Sequence, residues 1–283
     1  MTPSCELCHG LGYVHVLGGD YARAEVCACR SACEECRGER FVLVRRDGYE
    51  VAQPCSCQDG FLRVRYYSEA GIPAGYGRKS VGDYTPGGGS QGEVKTRLAR
   101  FQDRFTPTES RGLLLWGPSG TGKTHLVSAI LSYLCLERGI RCRFVDFFHL
   151  TSRIRSTFDS NGGESQEDIL RPLVEVPVLA IDELGKGHGT AWELNIVDEL
   201  ISRRYNAGRS ILATSNHPPA QWLDTIAPAS GRGARAKQPA GVSLEERVGA
   251  RAWSRLAETC DVLRVDGPDW RLTRGQASKS AAS

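Results

Sequence analysis

Two groups of residues in this 283-residue chain have types and spacings that can do chemistry. The first is the run Gly117-Pro118-Ser119-Gly120-Thr121-Gly122-Lys123-Thr124-His125, which follows an apolar stretch, Arg111 to Trp116, and opens a helical pattern to Arg138. Strand, glycine-rich loop and helix in that order form a phosphate cradle: backbone N–H groups point inward, Lys123 reaches the β and γ oxygens, and Thr124 is a ligand for Mg²⁺. A second apolar stretch, Val176 to Ile181, ends in Asp182-Glu183. Asp182 would complete the Mg²⁺ shell and Glu183 would polarise a water, which favours hydrolysis of a nucleoside triphosphate such as ATP. A third stretch, Ser210 to Thr214, leads to Asn216, at a strand tip that could sense the γ-phosphate or orient water.

The second group is cysteine. Eight of the 11 lie in the first 57 residues, and the set Cys5, Cys8, Cys27 and Cys29 maps by a shift of 28 onto Cys33, Cys36, Cys55 and Cys57. Each copy reads C-x-x-C, a valine-rich hairpin pattern turning at Gly18-Gly19 or Asp47-Gly48, then C-x-C. A hairpin that unites two thiol pairs offers four soft ligands without an open position, the requirement of a structural Zn²⁺ site. Two ions are expected, one per copy, with free thiols, an iron–sulfur cluster or ligands shared between copies as the competing readings. A unit this small has little core, so metal would supply most of its folding free energy, and chelation is expected to unfold this region alone. A redox C-x-x-C does not fit, because such a site needs one pair beside a βαβ unit.

These sites require elements to hold them. The expected organisation is a tandem zinc-ribbon-like domain over residues 1–60, a linker with an amphipathic helix over 61–109, an α/β core over 110–270, and a tail over 271–283. In the linker, Val94, Leu98, Phe101 and Phe105 recur at helical spacing. The longest apolar runs are far short of a membrane span and Met1-Thr2-Pro3-Ser4-Cys5 has no secretory pattern, so a cytoplasmic protein is expected. A net charge of +3 is too small to imply nucleic acid by itself.

The three strand-end motifs, with a further strand over Ile140 to Val145, resemble an AAA+ P-loop core, a parallel sheet with flanking helices. The resemblance narrows to helicase loaders of the DnaC and DnaI type and the related IstB transposition proteins. It is carried by Gly71-Ile-Pro-Ala-Gly-Tyr76, Gly117 to Leu126, Ala180-Ile-Asp-Glu-Leu184, Ile201-Ser-Arg-Arg-Tyr205, Ile211 to Asn216, and Glu246-Arg-Val-Gly249 through Arg251 and Ser254-Arg255-Leu256. It implies ATP turnover by an oligomer in which Arg255 is an arginine finger in a neighbour's site, with Arg251 a second basic contact one turn earlier. It also implies a reduced lid after Arg255, single-stranded DNA on the inner face of a spiral or ring, and a DnaB-type replicative helicase as partner. Phe147, Phe148, Arg153 and Arg155 have the aromatic and basic character that stacks bases and neutralises phosphates, with packing in the core the rival reading for both phenylalanines. Lys186, His188, Arg232, Arg235 and Lys237 are further candidates. The alternatives are an IstB-like regulator of a transposase, a zinc adaptor that uses nucleotide as an assembly switch with little turnover, and a small-molecule kinase. The Cys5 to Gly12 start is locally similar to the zinc modules of DnaJ-type chaperones, although Arg40 stands where the second copy would have its second glycine.

Overall fold

The computed structural model describes residues 5–30, 33–108, 111–159, 163–225 and 241–272. Each cysteine unit folds into an antiparallel hairpin: β1 (Tyr13–Val16) with β2 (Arg23–Val26), and β3 (Phe41–Arg46) with β4 (Tyr49–Pro54). The chain then forms α1 (Gln58–Glu69), within the stretch read above as linker, and α2 (Gln91–Arg104), the amphipathic helix. Tyr67 of α1 is fully buried and Leu98 of α2 likewise, so both helices belong to the core.

The core continues through β5 (Gly112–Trp116), α3 (Lys123–Leu136), β6 (Cys142–Asp146), α4 (Phe147–Ser156), α5 (Gln166–Glu175) and β7 (Val178–Asp182). It ends with α6 (Ala191–Asn206), β8 (Ser210–Ser215), α7 (Leu244–Val248), α8 (Ala250–Thr259) and β9 (Cys260–Arg264). The five core strands form a parallel sheet in the order β6-β7-β8-β5-β9. Its central strands are apolar on both faces, as a sheet covered by helices on each side requires. Leu113 and Leu115 face the cluster under α3, while Leu114 between them faces the cluster under α4 to α8. Val178 and Ala180 alternate with Leu179 and Ile181 in the same way.

The chain passes from α8 straight into β9, which pairs along β5. Cys135, Cys142 and Cys260 are buried thiols of this core. Among the described residues no helix is long and apolar enough to cross a membrane.

One buried charge holds the two sides of the sheet end together. Arg204 on α6 is wholly buried and donates to the carbonyls of Leu173, Val174, Val176, Pro177 and Ser210. Burial pulls its guanidinium down to about 9, and the carbonyl dipoles take the place of water. Arg204→Met should cost about 3–5 kcal/mol in urea unfolding, because those carbonyls would be left buried and unpaired.

The first hairpin is sewn to the core along its edge, whereas the second unit meets the start of α1, where Gln58 Nε2 donates to the Arg40 carbonyl and the Arg40 guanidinium lies over the Phe61 ring. Ala22 N–H donates to the Ile72 carbonyl and Ala74 N–H to the Asp20 carbonyl, while Ser68 Oγ both accepts from Ala24 N–H and donates to the Ala24 carbonyl. Tyr67 Oη donates to the Gly77 carbonyl at 2.6 Å and meets the His15 ring. A Cβ on Gly77 would lie 2.4 Å from the Ala22 Cβ, so this approach admits only glycine. The Gly71 to Tyr76 motif is thus the seam that receives the first hairpin.

Candidate functional site

The C-terminal ends of β5, β7 and β8 converge on a cavity of about 810 Å³, where a parallel sheet with reversed strand order places its ligands. The loop from Gly117 to Gly122 forms one wall. Gly117 has φ +148° and a Cβ there would lie 2.2 Å from the Val265 carbonyl, so the loop can hug β9 only as glycine. Lys123 is buried and its Nζ donates to the carbonyls of Gly117 and Pro118 at 2.8 and 2.7 Å. Burial pulls its ammonium down to about 8, against the carboxylates of Asp182 and Glu183, which hold it up. Anionic phosphates at this position would stabilise the charged form.

Asp182 is buried at the tip of β7. Burial raises its pKa, opposed by hydrogen bonds from Thr214 Oγ1 at 2.5 Å and from Thr124 Oγ1 at 3.0 Å. A hydroxyl and a buried carboxylate side by side are hard oxygen donors, the set that suits Mg²⁺. Glu183 next along has φ +53°, a left-handed conformation costly for a residue with a Cβ. Its N–H donates to Thr214 Oγ1 at 3.0 Å, which turns its side chain into the cavity, where Lys186 Nζ pairs with it. Ser119, His125 and Asn216 also line the cavity, and Pro118 accepts from Thr121 Oγ1 at 2.9 Å through its carbonyl.

The far wall was not anticipated. Tyr84 Oη and Gln91 Nε2 both donate to the Thr121 carbonyl, and Trp270 N–H donates to the Gly120 carbonyl at 3.1 Å. Segments separated by nearly two hundred residues therefore brace the same loop. Thr214 was also missed, although its place two residues before Asn216 on the same strand tip was a usable signal.

The cysteines sort into two four-membered groups, one per repeat, with all sulfurs in a group within 4.8 Å of one another. Cys5–Cys27 and Cys8–Cys29 lie at 3.7 and 3.5 Å, Cys33–Cys55 and Cys36–Cys57 at 3.6 and 3.5 Å. A tetrahedron with metal–sulfur bonds of ~2.3 Å has edges of about 3.8 Å, so the residues fit Zn²⁺, whereas a disulfide needs sulfurs ~2.05 Å apart. Backbone N–H groups, Gly12 first, hold Cys8 down at about 6, while its neighbour Cys29 is pushed up to about 12, first by Cys8 and then by Cys27. Such crowding of thiolates is what a dication relieves.

This geometry agrees with comparisons to known proteins. Residues 97–230 match the family of IstB-like ATP binding proteins. A replicative helicase loader DnaC of Buchnera aphidicola is 39% identical over 100 residues, 35% of this chain and 40% of that protein. The crystal structure of the DnaC helicase loader superposes with a TM-score of 0.53 at 25% identity, covering 71% of this chain and 99% of that one. Over its core the chain resembles the DnaC and IstB group of AAA+ proteins. An ATP-binding protein of an insertion sequence in Mycobacterium tuberculosis, 27% identical over 160 residues, covers 56% of this chain and 55% of that relative. The chain spans between 40% and 61% of the length of the first curated relatives it matches.

Outside the cavity, the chain distributes its basic candidates unevenly. Arg251 and Arg255 do not line it; both lie on α8 and pair with Asp198 of α6, at 3.7 and 3.3 Å. Arg255 also stands over the Tyr205 ring. Phe147 is corrected: it is buried with Leu150 and Ile154 on the inner stripe of α4 and has no face for a base. Phe148 is exposed on the opposite side. Arg153 is held by Glu164, and Arg155 lies over the Trp192 ring, which meets the exposed Phe158 edge-on. Lys186 is tied to Glu183, as above. Arg232, Arg235, Lys237 and all but the first two positions of the 271–283 tail lie outside the described residues.

Proposed function

We propose that this protein hydrolyses ATP and uses its nucleotide state to load a replicative helicase of the DnaB type onto single-stranded DNA in the cytoplasm. The observation that carries the reading is one connected site, Lys123, Thr124, Asp182, Glu183 and Thr214, on a core of the DnaC group. Lys123, and the loop N–H groups from Ser119 to Thr124, would bind the β and γ phosphates. Mg²⁺ held by Thr124 and Asp182 would neutralise charge on those oxygens. Glu183 accepts the proton of the attacking water, and Asn216 orients that water or reads the γ-phosphate.

Arg255 is the finger for a neighbouring subunit's ATP, and Arg251 supports it. Assembly would exchange Asp198 for phosphate as the partner of that guanidinium. Arg255→Ala should lower turnover by ~10²-fold or more while nucleotide binding persists. Mixing it with a Lys123→Ala chain, which keeps its finger but lacks its own site, should restore turnover at the Arg255→Ala sites that face an intact finger. Turnover independent of protein concentration and of Arg255 would point instead to a small-molecule kinase or a monomeric enzyme. Phe148, Arg155 and the Trp192 surface are the proposed DNA contacts, with the two zinc units serving as the partner-binding module. The test of the reading is ATP turnover stimulated by single-stranded DNA together with capture of a DnaB-type helicase by the full chain.

The second reading, an IstB-like regulator of a transposase, is favoured by the family match over 97–230. Capture of an IS21-type transposase and not of the helicase would establish it. Assembly with nucleotide but no turnover, even on DNA, would leave the zinc adaptor.

A further inference from the structure

The duplication allows the two hairpins to be compared position by position, and they differ in one respect. In the first, the side chains of Tyr13, His15 and Ala24 share one face, which follows from the antiparallel pairing His15↔Ala24 and Tyr13↔Val26. That face is covered: Ala24 is buried against α1, His15 meets Tyr67, and Tyr13 Oη donates to Glu137. The shift of 28 carries these positions to Phe41, Leu43, Ala52 and Pro54, paired Leu43↔Ala52 and Phe41↔Pro54. The second face is more apolar than the first, since leucine replaces histidine. Yet Phe41 is 52% and Leu43 69% exposed, and Ala52 and Pro54 are exposed as well.

The edge repeats the same logic. Cys27 N–H donates to the Gly12 carbonyl and Cys55 N–H to the Arg40 carbonyl, so the two ladders have the same phase. Ala24 therefore turns its N–H and carbonyl outward, where Ser68 of α1 satisfies both. Ala52 occupies the equivalent place and turns the same two groups outward on β4.

We propose that the face formed by Phe41, Leu43, Ala52 and Pro54 is a docking site for an amphipathic helix of the partner protein. The first repeat shows the occupant this scaffold takes: a helix that lays an aromatic ring across the face and offers a hydroxyl to the free edge, as α1 does with Tyr67 and Ser68. A nucleic acid is a poor match, since Arg45, opposite Glu50, is the single basic side chain on that face. Two zinc units would then divide the labour, one anchoring the module to the ATPase core and one presenting the same surface outward.

The inference rests on the helicase-binding reading, with the partner helix belonging to the helicase. The experiment compares full-length wild type, F41D/L43D and, on the opposite hairpin face, Tyr49→Ser, each checked for two bound zinc ions and unchanged ATP turnover. Expected is a loss of helicase affinity on the order of tenfold or more for F41D/L43D and none for Tyr49→Ser. Photo-crosslinking from position 43 should mark a helical segment of the helicase. Equal capture by wild type and F41D/L43D overturns the surface and leaves the loader reading standing. Absence of capture by wild type overturns both. Loss of single-stranded DNA binding in F41D/L43D with helicase capture intact overturns it in favour of a nucleic-acid face.

Discussion

Glu183→Gln should leave nucleotide binding within a few-fold of wild type and reduce phosphate release by about 10²–10⁴-fold, the usual worth of a positioned general base. The expectation follows from how the residue is held. Glu183 has a left-handed backbone at the end of β7, with its N–H tied to Thr214 Oγ1 and its side chain at the cavity. Strain of that kind, on the order of 1–2 kcal/mol, persists where surrounding contacts over-determine it, and here it turns a carboxylate into the cavity. Gln has the same shape and can still be held there, but it cannot take a proton. The groups proposed to bind phosphate lie elsewhere, on Lys123 and the loop N–H groups, so affinity should survive. A fluorescent ATP analogue measures binding and a phosphate sensor measures turnover; turnover within fivefold of wild type would remove Glu183 from the role of base. Lys123→Ala separates the two functions the other way, because it removes the buried ammonium and should abolish binding itself.

The candidate phosphate site was legible because its residues are contiguous in sequence and line one cavity. Gly117 to Thr124 and Asp182-Glu183 each sit where an apolar strand ends, and a parallel sheet brings strand ends together without further instruction. The zinc units were legible because a duplication repeats its own spacing. What escaped depends on contacts between distant segments. α1 has few strongly apolar residues, and its burial comes from Tyr67 meeting the first hairpin and α3, which no local periodicity announces. β9 is a strand only because β5 offers it an edge, and the bracing of Thr121 by Tyr84 and Gln91 spans the whole linker. Phe147 was misread for a related reason. Beside Phe148 and two arginines it resembled a stacking platform, but the helix that starts at Phe147 turns adjacent residues about 100° apart, so one phenylalanine is core and the other surface.

The same long-range packing alters what zinc removal should do. Chelation would have been expected to unfold an independent N-terminal region and spare the rest. Instead Ala22 and Ala24 belong to the same buried cluster as Tyr67, Ile72 and the residues of α3. The two metal sites should therefore fail differently. Cys36→Ser should release the second zinc and unfold β3 and β4, which bury little against the core, so the thermal midpoint of the five-stranded core should stay within about a degree. Cys8→Ser should release the first zinc, free β1 and β2, and expose Tyr67 and Ile72 to water. Each structural site supplies on the order of 10 kcal/mol of apparent binding energy to its own hairpin. The core would lose only the apolar burial between them, on the order of 3 kcal/mol for a buried tyrosine, an isoleucine and their neighbours. At about 2–4 °C per kcal/mol for a domain of this size, that is a fall of roughly 6–12 °C. Zinc content by atomic absorption and melting followed by near-ultraviolet circular dichroism distinguish the two. If both variants melt alike, the first hairpin contributes no stability to the five-stranded core and the seam at Gly71 to Tyr76 holds without it.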